Sequence, residues 1–453
     1  MAEETALANE QLQIHLANQD KEALDAFLWG LPFEDRARLI NRLEAPQREA
    51  LMTQLSPEDA AALLEELAEE QARLLFMAVP AEQAAQIADE IHSNVRADII
   101  GGMDAKSTDA ILRFMEPEEA KDLRELISYA ADTAGGLMIT EFLSYRDTMT
   151  VGDILDDLRT HGEEYADYDV QYAYIEDEAG KLVGVLRMRD LLFAQKSRKA
   201  SAVMIKNPVS VNATDPLDRL IRFFDDHGFF GVPVVGDSDE LCGVLRRSDV
   251  GKAAAARANS IFLRVSGIIG GEELRDMPLK TRFSRRLSFL SINIFLNIIA
   301  ASVIAMKMDV LDQVIALAVF MPIISDMSGC SGNQAVAVSI RELALGLVKP
   351  KEFFRVFKKE AAVGVINGIC LGVLLGIVAY LWKGNIWLGA VAAVALCINT
   401  LVAVCFGGLI PLLLKGMRLD PALVSGPVLT TVTDMCGFFL VLTLAGFVLE
   451  KLV

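Results

Sequence analysis

Histidine is scarce in this chain: four in 453 residues, with only His15 and His92 among the first 130. They lie too far apart in sequence to suggest a ligand pair. No nucleophile–base pair, P-loop or metal triad is visible, which argues against an enzyme. Cysteine is also thin. The six residues, Cys242, Cys330, Cys370, Cys397, Cys405 and Cys436, form no Cys-x-x-Cys pair, and five lie in the hydrophobic second half. A disulfide framework is therefore not expected, and small apolar packing is their default role. Positive charge is outnumbered in the first half. Residues 1–280 hold 52 acids against 29 bases, a net of −23. Such a surface repels phosphates and excludes nucleic acid as its partner. The start, Met1-Ala2-Glu3-Glu4, is acidic and has no apolar core, so no signal peptide is read and the leading region is expected in the cytosol.

What is present is a division into two unlike halves. The hydrophobic fraction is 53% and the mean hydropathy +0.35. Those averages conceal the acidic half and a second half, residues 281–453, with 9 acids and 14 bases. The length leaves room for two or three domains. The acidic surface either solubilises the leading domains or attracts metal cations.

Residues 1–132 read as short helices. Pro32, Pro57, Pro80 and Asp104 mark starts 25, 23 and 24 residues apart, a spacing that fits two helices per unit stacked as a superhelical solenoid. Ser56-Pro57-Glu58-Asp59 has an N-cap serine, a proline at N1 and acids in the first turn. Leu63, Leu64 and Leu67 follow as an apolar stripe. Residues 133–256 hold two similar helix–strand–turn–strand–helix units. The first contains Tyr172-Ala173-Tyr174-Ile175 and Lys181 to Leu192; the second contains Val232-Pro233-Val234-Val235 and Glu240 to Val250. Order and spacing match twice, and the region resembles an α+β CBS tandem. Such pairs bind adenine nucleotides or ions in a cleft, which makes ATP a candidate ligand. The usual Gly-x-x-Thr-x-x-Asp motif of such pairs has Arg187 and Arg246 at its threonine position, while its acids, Asp190 and Asp249, remain to take a ribose hydroxyl. The other reading is a structural, dimerising pair. Residues 257–283 read as a linker helix interrupted by Gly267, Gly270 and Gly271.

Residues 284–453 carry five apolar segments, at about 287–306, 311–343, 361–382, 386–414 and 421–449, each long enough to span a bilayer as a helix. Arg282, Arg285 and Arg286, then Arg341 to Lys359, then Lys415 and Arg418 lie on one side; the connections on the other side hold only Lys307 and Lys383. The positive-inside rule puts the N-terminal half in the cytoplasm and the C-terminus outside. Two acids lie within spans. Asp434 is the one charge in the 29 residues from Pro421 to Leu449. A central carboxylate costs roughly 2.5–3.5 kcal/mol on insertion scales, so it needs a counter-charge, water or an ion. Thr430, Asp434 and Gly437 share a helical face. Asp326 lies in the second segment, which Pro322, Gly329 and Gly332 are expected to break before Asn333. The competing explanation for the small and polar residues is helix–helix packing.

Over nearly its whole length the chain resembles the MgtE family of magnesium transporters. The resemblance rests on Thr133-Ala134-Gly135-Gly136-Leu137-Met138, on Phe320-Met321-Pro322 leading to Gly332-Asn333-Gln334, and on Asp420-Pro421-Ala422-Leu423-Val424-Ser425 leading to Asp434. It implies a multi-domain membrane protein with a five-helix transmembrane domain. It further implies a homodimer in a bacterial inner membrane, with one pore lined by the second and fifth spans and Mg²⁺ bound by Asp434. Asp326 is a second metal candidate, and Thr430, Gly437, Pro322, Gly329, Gly332 and Asn333 are candidates for the pore lining. The resemblance also implies cytosolic domains that close the pore when they bind magnesium. This sequence departs from the pattern in three places. Ser328-Gly329-Cys330 stands where the family has Gly-Gly-Asn, Asp326 stands where a small residue is usual, and Arg257 to Phe262 lacks the acidic pair of the linker helix. The alternatives are transport of Co²⁺ or another transition metal, and a non-transporting CBS-containing sensor.

Overall fold

The computed structural model describes residues 2–163, 165, 168, 171–275 and 277–452. They separate into two compact units, Met1–Arg257 and Ala258–Val453.

The first unit begins with ten short helices. Phe33–Ile40, Pro57–Glu66, Ala81–Glu90 and Ala105–Leu112 start every 24 residues, and so do Lys21–Gly30, Ala45–Gln54, Glu69–Phe76, Ser93–Gly101 and Pro117–Ser128. The period comes from the caps. Ser56 Oγ accepts from Asp59 N at 3.0 Å and Pro57 fills the position whose N–H has no helical partner. Asp104 does the same for Lys106 and Ser107. Helices two apart in the chain pack together, Pro57–Glu66 on Ala81–Glu90 and Ser93–Gly101 on Pro117–Ser128, as a superhelix requires. Leu63 and Leu64 are fully buried in the core they form.

The two strand units follow with the same topology. Leu143–Arg146 pairs in parallel with Tyr172–Glu176, which pairs antiparallel with Leu182–Arg187. Val211–Asn212, Gly231–Val235 and Leu241–Arg246 repeat this, with a register shift at the matching place, Ile175/Glu176 and Val234/Val235. The two units bury their sheets differently. Leu217, Val232 and Leu245 join the core of the helical region, whereas Leu143, Ile154 and Leu186 form a core of their own.

Residues 257–283 are interrupted where the glycines fall. The helix Arg247–Val265 ends at Gly267, whose φ of +84° ordinary side chains rarely adopt, and the next helix begins at Leu279. Glu273 in the intervening loop is buried between Arg282 and Arg286, which hold its carboxyl below the usual range.

The second unit is built on the long helices Leu279–Ala305, Leu317–Ala344, Phe353–Lys383, Ile386–Gly416 and Pro421–Phe447. Among the described residues, four are long and apolar enough to cross a membrane; Leu317–Ala344, with 28 residues, is long enough but too polar to stand with them. That helix runs unbroken through Pro322, Gly329 and Gly332. The break lies earlier, after the short helix Met308–Gln313. Pro322 falls early enough in the helix to remove a backbone bond only near its end. Gly332 serves contact rather than bending. A side chain there would meet the Ala403 carbonyl at 2.9 Å, and one at Gly407 would come within 2.2 Å of the Gly332 carbonyl. Two backbones therefore touch between Leu317–Ala344 and Ile386–Gly416, as small residues permit inside membranes.

Candidate functional site

Helices Leu317–Ala344 and Pro421–Phe447 pack against each other and bound a cavity of about 500 Å³. Asp434 reaches it from the second of these helices and Asp326 from the first. Thr430 lies one turn before Asp434. Pro322, Asp326 and Cys330 follow one another at turn intervals on the facing wall, with Gly329 and Asn333 beside them. Ile304, Leu311 and Phe438 close the apolar part of the lining.

The electrostatics are one-sided. Among the described residues, two carboxylates line the cavity and no lysine, arginine or histidine does. Asp434 is half-buried and accepts a hydrogen bond from the Ser325 hydroxyl. Asp326, the next residue, is exposed into the cavity and has no hydrogen bond or ion pair among the described residues. Among the described residues no three histidine, cysteine, aspartate or glutamate side chains stand close enough to hold a metal ion. Such a site suits a cation that keeps most of its own ligands. Mg²⁺ dehydrates reluctantly and commonly meets proteins through one or two carboxylates with water completing the octahedron.

Two expected lining residues are elsewhere. Gly332 is at the backbone contact with Ala403. Gly437 is buried under Asn399, whose Nδ2 would be 2.8 Å from an added side chain. Asn399 is itself fully buried and donates to the Thr433 carbonyl at 3.1 Å, the residue before Asp434. Ser325 and Asn399 thus hold the Asp434 turn from two neighbouring helices. Sequence reasoning passed over both. Asn399-Thr400 is a polar pair in an otherwise apolar stretch and was the available signal for one; for Ser325, adjacency to Asp326 was.

The acids of the strand units are occupied. Arg187 Nε donates to Asp190 Oδ2 at 2.5 Å, and Arg246 Nε donates to Asp249 Oδ2 at 2.6 Å with Nη2 to Oδ1 at 3.3 Å. The arginines that replace the motif's threonines therefore bind the carboxylates that would take a ribose. A separate cleft between the sheets is lined by Phe142, Tyr172, Tyr174, Phe230, Glu141 and Arg246.

Comparison with known proteins places these features. A profile described as a divalent cation transporter, MgtE, matches residues 321–444. An MgtE intracellular N domain matches residues 31–132, and CBS domains match 134–197 and 200–256. The chain is 30% identical over 342 residues to the magnesium transporter MgtE of Bacillus subtilis, covering 75% of each chain. It is 30% identical over 341 residues to that of Thermus thermophilus, covering 74% of each. The fold of the crystallised soluble part of a magnesium transporter covers 56% of this chain and 99% of that one, at a TM-score of 0.50 and 23% identity.

Proposed function

The chain belongs to the MgtE family of divalent-cation transporters, and we propose that it carries Mg²⁺ across a bacterial inner membrane through a pore that two copies form together. The observation that carries this reading is the cavity with Asp434 and Asp326 and no basic residue among its described lining. A carboxylate pair left without a counter-ion inside membrane-spanning helices gives a cation the place an arginine would otherwise take. Asp434 holds the ion's water shell, the Ser325 hydroxyl fixes the carboxylate, and Thr430 supplies a further polar contact one turn away. Few direct protein ligands let the ion leave as well as bind. Leu317–Ala344 acts as a fifth span, shielded from lipid by the helices around it. The basic connections put the acidic half and its net charge of −23 in the cytoplasm, so the inside-negative potential drives cations inward.

Magnesium also fits as a regulator of the cytosolic half, since divalent ions screen like charges and favour a compact arrangement. For the CBS pair, the two Arg–Asp contacts favour a structural role over ATP binding through Asp190 and Asp249. Mg²⁺ flux into proteoliposomes tests the main reading. Asp434→Ala should abolish flux while the variant elutes as the wild type does; flux at the wild-type rate would remove Asp434 from the pathway.

A further inference from the structure

The facing wall of the cavity carries chemistry that Mg²⁺ does not need. Asp326 and Cys330 are four residues apart on Leu317–Ala344 and both are exposed into the space that Asp434 faces. Residues at this spacing lie about 5–6 Å apart at Cβ, close enough for a carboxylate oxygen and a sulfur to meet one ion. Asp434 is tied to Ser325, the residue before Asp326, so the two carboxylates come from two contacting helices into one negative cavity. A hard ion gains nothing from a thiol. A borderline or soft divalent ion such as Zn²⁺ or Cd²⁺ gains a thiolate ligand, since the bound metal displaces the thiol proton to solvent.

Resting on the transport reading above, we infer that Asp326 and Cys330 form a binding site for thiophilic divalent cations inside the permeation cavity, at which Zn²⁺ or Cd²⁺ competes with Mg²⁺. Each chain supplies one carboxylate and one thiolate, and water fills the remaining positions. The other cysteine near Asp434 does not contribute. Cys436 is two residues further along the helix, does not line the cavity, and turns away from the face that Asp434 shares with Thr430.

The test uses the full chain and Cd²⁺ as the probe. Purified protein is titrated with Cd²⁺ and read by the ultraviolet thiolate-to-cadmium charge-transfer band. In parallel, Cd²⁺ inhibition of Mg²⁺ flux into proteoliposomes is measured, normalised to each variant's own uninhibited flux. Cys330→Ala should remove the band, and both Cys330→Ala and Asp326→Asn should raise the half-inhibiting Cd²⁺ concentration by about tenfold or more, because even outer-shell losses cost metal sites that much. Cys436→Ala should change neither reading. Cys330→Ser is a second variant should alanine not fold. An unchanged half-inhibiting concentration in Cys330→Ala and Asp326→Asn, or a band that survives Cys330→Ala, overturns the inference. Its failure is separable from that of the transport reading. Asp434→Ala decides Mg²⁺ flux without Cd²⁺, and the band reports Cys330 whether or not ions move.

Discussion

The ion pairs of the first unit and the cavity of the second treat charge in opposite ways. In the first, buried or half-buried charges find partners within the chain: Arg36 with Glu66, Arg96 with Glu119, Arg246 with Asp249. In the second, Asp326 and Asp434 share a cavity with no base in its described lining. A folded protein seldom leaves carboxylates uncompensated away from bulk water unless something else supplies the charge. The difference separates acids that an arginine neutralises from acids that no base in the described lining neutralises. It also explains why the overall charge of −18 says little about that cavity, since two of the 61 acids line it.

The largest effect is expected from erasing that difference. Asp326→Arg would give the cavity the kind of internal counter-ion that Arg36, Arg96 and Arg246 supply in the first unit. A fixed positive charge about 4–6 Å from a passing cation, at an effective dielectric near 20, costs a few kcal/mol. Mg²⁺ flux should then fall by on the order of a hundredfold or more. Flux into proteoliposomes checks it, and an arginine variant with near wild-type flux would mean that Asp326 lies off the path.

The converse change breaks a partnership in the first unit. The Arg96 side chain is 4% exposed, donates to the Ala88 carbonyl at 3.3 Å and meets Glu119 at 3.0 Å. Arg36 does the same for the Leu28 carbonyl, eight residues back in each case. Arg96→Ala removes one of two hydrogen bonds to the Ala88 carbonyl, which keeps the one from Ile91 N–H at 3.3 Å, and Glu119 is half exposed, so the cost is about 0.5–1.5 kcal/mol rather than that of a fully buried pair. Denaturant unfolding should show it in the first unit, with uninhibited Mg²⁺ flux unaltered in folded protein.

How much of this was legible in the sequence follows from the same physics. The 24-residue period could be read because prolines and capping side chains act locally, whatever the helices pack against. The strands fell where the repeated units put them for a similar reason. The helix Leu317–Ala344 could not be read as unbroken. Pro322 and the glycines look like breakers in isolation, and the approach of Gly407 to Gly332 decides for the packing explanation at Gly332 that the sequence left open. Gly437 was assigned to the cavity by its spacing from Thr430 and Asp434. It sits at the edge of that face, where Asn399, more than 30 residues away in sequence, covers it. Ser325 and Asn399 were missed because their roles exist only once three helices meet. Asp326 and Asp434 were legible because a charge in an apolar run is conspicuous before anything folds.

A smaller effect should appear with pH in the first unit. Burial and the neighbouring charge of Glu69 raise the Asp98 carboxyl to about 7, against some relief from Arg73. Its folded value lies above its unfolded one, so the folded state binds more protons between about 4 and 7 and loses stability as pH rises through that window. His92 shifts the same way. Its ring nitrogen is 2.6 Å from Glu65, which raises its pKa against the effect of burial, and the stabilisation is lost as pH rises through that folded value. Glu65 is governed by burial, which would raise it, but the hydrogen bonds from His92 outweigh this and lower it, so its contribution is lost only in acid. Asp98→Asn should flatten the decline between pH 4 and 7 in thermal unfolding. An unchanged slope would mean that Asp98 is ionised and solvated in the folded chain.

The smallest effect comes from freeing the first unit's acids. In both strand units the arginine three residues before the acid occupies it: Arg187 on Asp190, Arg246 on Asp249. If those contacts are what keep a ribose out, the double variant Arg187→Thr, Arg246→Thr should bind ATP about tenfold more tightly than the parent chain, near 1.4 kcal/mol. The gain stays modest because a hydroxyl-to-carboxylate bond made to ligand replaces one made to water. Arg246 also lines the aromatic cleft and lies near His92 and Glu65, so the single variants separate the two contributions. Arg187→Thr touches only its own acid, whereas Arg246→Thr should also raise the pH at which the His92 contribution is lost, by removing a repelling charge. Isothermal titration with ATP reads the first effect and the pH midpoint of unfolding the second. Equal ATP affinity in parent and double variant would show that the acids were never the obstacle, and that the pair's paired charges serve the fold alone.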